Sequence, residues 1–497
     1  MGDPEIAGSA AQGSLVGFRG VVVTLLWKHA IDKQKRGEYH DMELAARMVS
    51  RMQPHFIEPW IFQAWNIAYN VSVENDKLGD QYFYIARGIG LLAEGDRINT
   101  RLHRRGGVQF RVGSPDIRYQ LAFYYQNKFT VSDKVATLRS LAQLSCIPPA
   151  DRDPAKLTDP ASGRVDPDRF LAFCRKHPQL VRRLQYSRKN PDTRQTEGMN
   201  LKTPEQIVQF LAANQTIPAR YDAAGRDLPD EEAFPVFPRT DPQANPELDS
   251  YVREALARAR PTADLKPVDN LDPVQAAHAW FEYVQEVVPP PVRPGETNGT
   301  PTGMIRKGEY DEFRYRIPTR PALIVFRSAP ARSQTYLAER LQKEGWIDAT
   351  SYWEPDAAAD VSWFPKANPN DPPVRLYAGQ NAKEEWGRTR NLWVRYGRLN
   401  GMNVEDRQKQ EALAEVTVRA GMGPLGGPPN REYTAEDLKA MGVPESAMRA
   451  RMAVMYFDQN RQITNYQFFL DSSGLETDPR VAEVRQMLWD ADRMHDT

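Results

Sequence analysis

The chain has 497 residues, 41% of them hydrophobic and 26% charged, enough apolar material for a sizeable buried core spread over roughly three domains of ordinary size. Lys plus Arg and Asp plus Glu both number 65, so the formal net charge is zero and no global field draws the chain to nucleic acid or acidic lipid. The two cysteines, Cys146 and Cys174, offer neither a paired zinc spacing nor a disulfide framework and read as buried or idle thiols.

The apolar run 15–27 is interrupted by Arg19 and Gly20 and falls short of the roughly 20 residues that span a bilayer. Asp3 and Glu5 precede it and Trp27-Lys28-His29 follow it, which is not the order of a secretory signal. From 15 to 145 the helical period is clear. Leu44, Ala45, Met48, Val49 and Met52 form one stripe; Ile61, Ala64, Trp65 and Ala68 a second; Tyr82, Ile85, Ala86, Ile89 and Ala93 a third. Arg36-Gly37, Gln53-Pro54 and Leu78-Gly79 are the breakers between them, leaving room for short turns between antiparallel helices. Trp27 and Trp60 are 33 residues apart and Ala45 and Ala86 are 41 apart, the length of a two-helix repeat unit. A third pair is expected at 116–129 and 132–144, with Pro115 and Ser132 as starts, and a basic loop, 101–107, precedes it.

From about 147 to 320 proline becomes frequent, with short helices expected at 168–186, 203–214, 246–260 and 272–287. The stretches 221–245 and 289–308 read as extended or mobile, and Ala322-Leu323-Ile324-Val325-Phe326 as one short strand. Helix is expected again at 332–344, 382–400, 404–420, 434–458 and 479–495, with the Gly/Pro segment 421–429 as a linker. The last helix carries Val481, Val484, Met487 and Leu488 on one side with nothing after it to cover them, which suggests that the chain ends partway through a repeat.

Gly17-Phe18-Arg19-Gly20 through Leu26-Trp27, then Met52-Gln53-Pro54-His55-Phe56, then the segment from Phe62-Gln63-Ala64-Trp65-Asn66 to Ser72-Val73-Glu74 and the block Tyr82-Phe83-Tyr84-Ile85-Ala86-Arg87-Gly88-Ile89, resemble an uncharacterised family of bacterial tetratricopeptide-repeat proteins best represented in planctomycetes. The likeness covers roughly 15 to 145 and returns at Ile463-Thr464-Asn465-Tyr466 and 481–492. It implies a bacterial scaffold in the cytoplasm or associated with the membrane at the cell envelope, the association made through an N-terminal anchor upstream of Gly17 that this chain lacks.

The sequence contains no Gly-rich phosphate loop, no dinucleotide fingerprint and no Gly-x-Ser-x-Gly elbow. Its seven histidines include no His-x-x-x-His pair. Asp230-Glu231-Glu232 and Asp311-Glu312 read as solvated carboxylates, and Arg101–Arg105 as an exposed basic loop without the interleaved aromatics of a nucleic-acid surface. The chain is therefore expected to be non-catalytic, with no cofactor, metal or nucleic acid.

The most informative local feature is the helix 59–73, where Asn66 and Asn70 are four apart beside Trp65 and Tyr69. Asparagine is a poor interior helix residue. These four form a candidate peptide groove in which the carboxamides hydrogen-bond the backbone or terminal carboxylate of an extended protein segment. The competing reading has both amides bonding inside the stack while Trp60, Trp65 and Tyr69 fill core space.

The fold expected is all-α: a tetratricopeptide-like solenoid over 15–146, a proline-rich region with short helices over 147–320, a mainly helical region over 321–470, and the start of a further repeat over 471–497. The function expected is a scaffold or protein-interaction module. Two rivals stand beside it: an enzyme with a site at 320–353 around Arg327 and Arg332, and an envelope component assembling through the side of the last helix, 484–488.

Overall fold

The computed structural model describes residues 19–105, 108–132, 134–189, 196–229, 232–258, 267, 271–285, 320–358, 362–366, 368–400, 402–425 and 433–496. These are mainly helical, with three two-stranded ladders, and they fall into two compact units, Met1–Trp280 with Trp353–Leu376 and Phe281–Tyr352 with Tyr377–Thr497. Among the described residues no helix is long and apolar enough to cross a membrane.

The first unit opens with α1 (Arg19–Lys35) and α2 (Tyr39–Met52), joined through Gly37, whose φ of +72° suits a residue without Cβ. Trp27 packs edge-on against Phe56 and Phe62 at 6.1 and 5.0 Å, over Ala30, Met42 and Ala45. The buried side of α2 is Met42, Ala45, Ala46 and Val49, while Leu44 and Met48 of the expected stripe lie exposed. The two alanines take the inward positions because they let the neighbouring backbones close up, and the longer side chains are left outside.

Helix α3 (Glu58–Trp65) runs on through a π-helical segment, Asn66–Asn70, and a 3-10 turn, Val71–Glu74, before α4 (Leu78–Asn99). Leu78-Gly79 opens α4 rather than breaking the chain; the residues before it make the turn. Tyr82, Ile85, Ala86 and Ile89 are buried as their spacing requires. A Cβ on Gly88 would stand 2.8 Å from the Ala64 carbonyl oxygen, so this glycine permits the close approach of α3 and α4.

The expected basic loop is instead one arm of an antiparallel hairpin, β1 (Arg101–Arg105) with β2 (Val108–Val112), Arg101 opposite Val112. Val108, Phe110 and Val112 alternate with polar residues, a period-2 signal that the arginines upstream obscure. After it come α5 (Pro115–Gln126), a second π-helical segment (Asn127–Val131) and α6 (Val135–Ser145). Pro115 starts α5 with Ser114 as cap, whereas α6 begins three residues after Ser132. Each of the first four helices packs on the next along the chain.

Two buried ion pairs fasten this unit. Arg118 Nε donates to Asp96 Oδ1 at 2.9 Å and its Nη2 to the Arg111 carbonyl at 3.1 Å, joining α4, α5 and β2. Arg139 Nε donates to Asp272 Oδ2 at 3.0 Å, and Asp272 Oδ1 accepts from the Val274 amide at the start of α11 (Pro273–Gln285). Between them, the helix expected over 168–186 is two, α7 (Pro167–Lys176) and α8 (Pro178–Gln185), because Pro178 cannot donate to the preceding turn. A short ladder, β3 (Ser187–Lys189) with β4 (Thr196–Gly198), follows. Helices α9 (Pro204–Ala213), with its Thr203–Gln206 capping box, and α10 (Pro246–Arg258) lie where their start signals place them. The stretch 221–245 is irregular but anchored: Ala233, Phe234, Val236 and Phe237 are buried, and the Val236 amide donates to the Tyr125 hydroxyl at 2.7 Å. The stretch 289–308 lies outside the described residues.

The second unit contains α12 (Arg320–Lys343), which absorbs the expected strand 322–326. Five apolar residues read equally as strand or helix; Ala331, Leu337, Ala338 and Leu341, all buried, continue the helical period and decide it. Pro330 inside this helix cannot bond the Phe326 carbonyl, which accepts from Gln285 Nε2 at 3.3 Å. Helices α13 (Ala382–Leu399) and α14 (Val404–Arg419) fall close to their expected bounds. The single helix expected over 434–458 is broken at Gly442 (φ +65°) and Pro444 into α15 (Ala435–Ala440) and α16 (Glu445–Met455), followed by α17 (Phe457–Thr464). The last two helices are α18 (Tyr466–Leu475) and α19 (Pro479–Asp496). Trp393 stacks on Phe469 at 4.8 Å and meets Tyr396 edge-on at 5.5 Å; Gly397 leaves room for the Tyr466 hydroxyl. On α19, Ala482 is buried while Val484, Met487 and Leu488 are exposed.

Candidate functional site

Two helices of the first unit, α3 and α5, end alike. Each passes into a five-residue π-helical segment that begins with asparagine, Asn66-Ile67-Ala68-Tyr69-Asn70 and Asn127-Lys128-Phe129-Thr130-Val131. A π turn inserts a residue into the α ladder and re-aims the side chains around it, which is why such turns recur at functional positions. Here the two segments meet: the Tyr69 hydroxyl donates to Asn127 Oδ1 at 3.1 Å.

Polar atoms crowd this junction without completing each other. Asn70 Nδ2 donates to Asn66 Oδ1 at 2.7 Å, while Asn66 Nδ2 and the Tyr124 hydroxyl are buried without a hydrogen-bond partner among the described residues. Lys128 is 7% exposed; its Nζ sits 3.8 Å above the centre of the Tyr69 ring, and no described carboxylate pairs with it. Loss of water disfavours the ammonium and brings the Lys128 pKa down from its usual range to about 8. The same burial pushes both phenols, Tyr69 and Tyr124, above their ordinary value. Tyr69 and Tyr124 pack edge-to-face at 5.0 Å, and ring contacts continue to Phe123 at 6.5 Å and from Phe123 to Tyr119 at 6.5 Å. The result is an aromatic file along α5 that ends on an ammonium and carboxamides.

The four residues singled out by spacing take different places. Asn66 is fully buried and acts behind Asn70 as its acceptor; Asn70 and Tyr69 are half-buried at the junction. Trp65 is 42% exposed and does not fill core, whereas Trp60 does, its Nε1 donating to the Pro54 carbonyl at 3.0 Å. Sequence reasoning missed Lys128, Tyr124 and Asn127. The available signal was a lysine four residues after Tyr124 and next to Phe129, on a helix side otherwise apolar.

Elsewhere the candidates disperse. Cys146 and Cys174 are buried and free, the first thiol pushed up to about 12 by burial. Among the described residues no group of His, Cys, Asp and Glu could hold a metal ion. Asp230, Glu231, Asp311 and Glu312 lie outside the described residues, as do the side chains of His103, Arg104 and Arg105. Arg332 is structural: its Nη2 donates to the Thr464 carbonyl at 3.4 Å and its guanidinium lies over the Phe469 ring. Burial lowers the Arg327 pKa to about 10. Set against known protein families, curated proteins and solved structures, the chain matches none.

Proposed function

We propose that this chain is a non-catalytic protein-interaction module whose first six helices act as tetratricopeptide-like hairpins, and that the junction of the two π-helical segments holds an extended peptide of a protein partner by its carboxylate. The supporting architecture is the sequential packing of the first five helices, which is how a repeat array builds a continuous face. The observation that carries the proposal is Lys128, a nearly buried ammonium with no described carboxylate beside it, over the Tyr69 ring at the end of a file of rings. A peptide carboxylate supplies the missing charge, and Tyr69, Phe123 and Trp65 supply apolar contact for flanking side chains.

The test is a screen of peptides with free and amidated C-termini against the full chain. Expected is a preference for the free carboxylate, lost in Lys128→Met and reduced in Asn70→Ala, with helix content by circular dichroism unchanged. Peptides bound equally with either terminus, or a Lys128→Met protein that binds as the parent does, would sink the proposal.

A further inference from the structure

A second site lies in the first unit, independent of the peptide junction. A cleft of about 370 Å³ opens between β2, the anchored stretch 233–240 and α10, and four arginines line it: Arg111, Arg220, Arg239 and Arg253. No carboxylate of the described residues is in its lining, and its floor is apolar, with Val236 and Phe237. Arg253 pairs with Asp249 and Arg220 stands 3.9 Å from Asp227, carboxylates outside the lining, while the charged side chains of the lining itself are all cationic.

The arginines are held there by the fold. Arg111 stands on β2, and its backbone carbonyl is fixed by Arg118, itself locked to Asp96 in the buried pair. The Arg111 side chain has no partner of its own among the described residues. Arg220 is nearly buried; its Nη1 donates to the Pro235 carbonyl at 2.9 Å, and its Nε stands 3.9 Å from Asp227 Oδ1. Asp249 pairs with Arg253 from one turn earlier on α10 and also accepts from the Thr240 hydroxyl at 2.8 Å, steadying one wall. The site is therefore built before any ligand arrives, which lowers the ordering cost of binding.

We infer that this cleft binds a small organic phosphate. A carboxylate occupies one guanidinium fork, whereas the terminal oxygens of a phosphate accept from several forks at once and its dianion answers more than one of them. The volume falls in the range of small-molecule sites, and the apolar floor at Val236 and Phe237 takes a carbon body attached to the phosphate.

The experiment is calorimetric titration of the full chain with inorganic phosphate and with phenyl phosphate, at constant ionic strength in chloride. Phenyl phosphate should bind with a stoichiometry of one and more tightly than inorganic phosphate. Arg111→Ala should weaken it by about tenfold or more, the value of one charged fork, with the unfolding midpoint unchanged because that side chain bonds nothing else. Arg449→Ala, in the second unit, should bind as the parent does. Absence of saturable binding in the millimolar range, equal affinity for the two phosphates, or an Arg111→Ala protein that binds like the parent would each overturn the assignment.

Discussion

The two units bury matched charges and packed rings in different proportion. In the first, charged and amide side chains are taken inside in matched sets: Arg118 with Asp96, Arg139 with Asp272, and Arg183 Nη1 on Gln143 Oε1 at 2.8 Å. In the second, one such set, Glu385 accepting from Gln334 and Gln380, stands beside a centre of rings, with Trp393 on Phe469 and Tyr396 beside Tyr466. Matched polar sets fix one arrangement and fail hard when one member is lost, because the survivor stays buried without its partner. Ring packing fails by shape, when volume is added or removed. The difference teaches where each unit is vulnerable.

The sharpest way to break this contrast is Asp272→Ala, which strands the Arg139 guanidinium in the core and removes the cap of α11. A loss of about 3–5 kcal/mol is expected in denaturant unfolding, and a loss below about 1 kcal/mol would show the pair to be incidental. In the second unit, Gly397→Ala places a methyl group where the Tyr466 hydroxyl sits, against a ring that is itself buried. A cost of about 1–3 kcal/mol follows from overpacking, and Gly397→Ala combined with Tyr466→Phe should recover part of it.

Lys128 sharpens the contrast from the other side, being a buried charge without a matched set. Its native pKa of about 8 lies below the ordinary value of 10.5, so between those pH values the unfolded chain binds the proton that the native chain has lost. Stability therefore rises with pH over that window and the penalty is at its full size below about pH 8. Lys128→Met should stabilise the protein at pH 7 by about 1–3 kcal/mol, and the gain should fade between about pH 8 and 10.5. A mutant that gained nothing at neutral pH would mean that the ammonium already has its partner. Asn70→Ala should cost about 1 kcal/mol, the usual value of one partly buried amide bond. Val484→Ser on the exposed side of α19 should change stability by less than about 0.5 kcal/mol, measured by the same unfolding curves.

Much of the helix set was legible in the sequence because its signals are local. Thr203 with Gln206, Ser114 with Pro115, and the proline that opens each of α9 to α11 are start marks that no distant contact overrides. The breaks inside expected helices were legible too, at His177-Pro178 and at Gly442 to Pro444, had they been weighed as stops. The hairpin of Arg101 and Val112 and the helix through Ile324 were not, since a short apolar run fits either period until its continuation is counted. Of the candidate site, the spacing brought out Asn66 and Asn70 but could not tell that one lies behind the other, nor that π turns would bring Lys128 over Tyr69. The four-arginine cleft gathers residues from 111 to 253, a proximity that no window along the chain contains.

The proline in the middle of α12 has an effect beyond its own helix. By giving up one amide, Pro330 leaves the Phe326 oxygen accessible, and Gln285, 41 residues upstream, takes it. A local defect in one rod thus becomes a clasp on the end of another, and the two are set by a single residue. Replacing Pro330 with alanine would restore a donor in competition with Gln285, so a change usually counted as helix-favouring would here loosen the chain at a distant point.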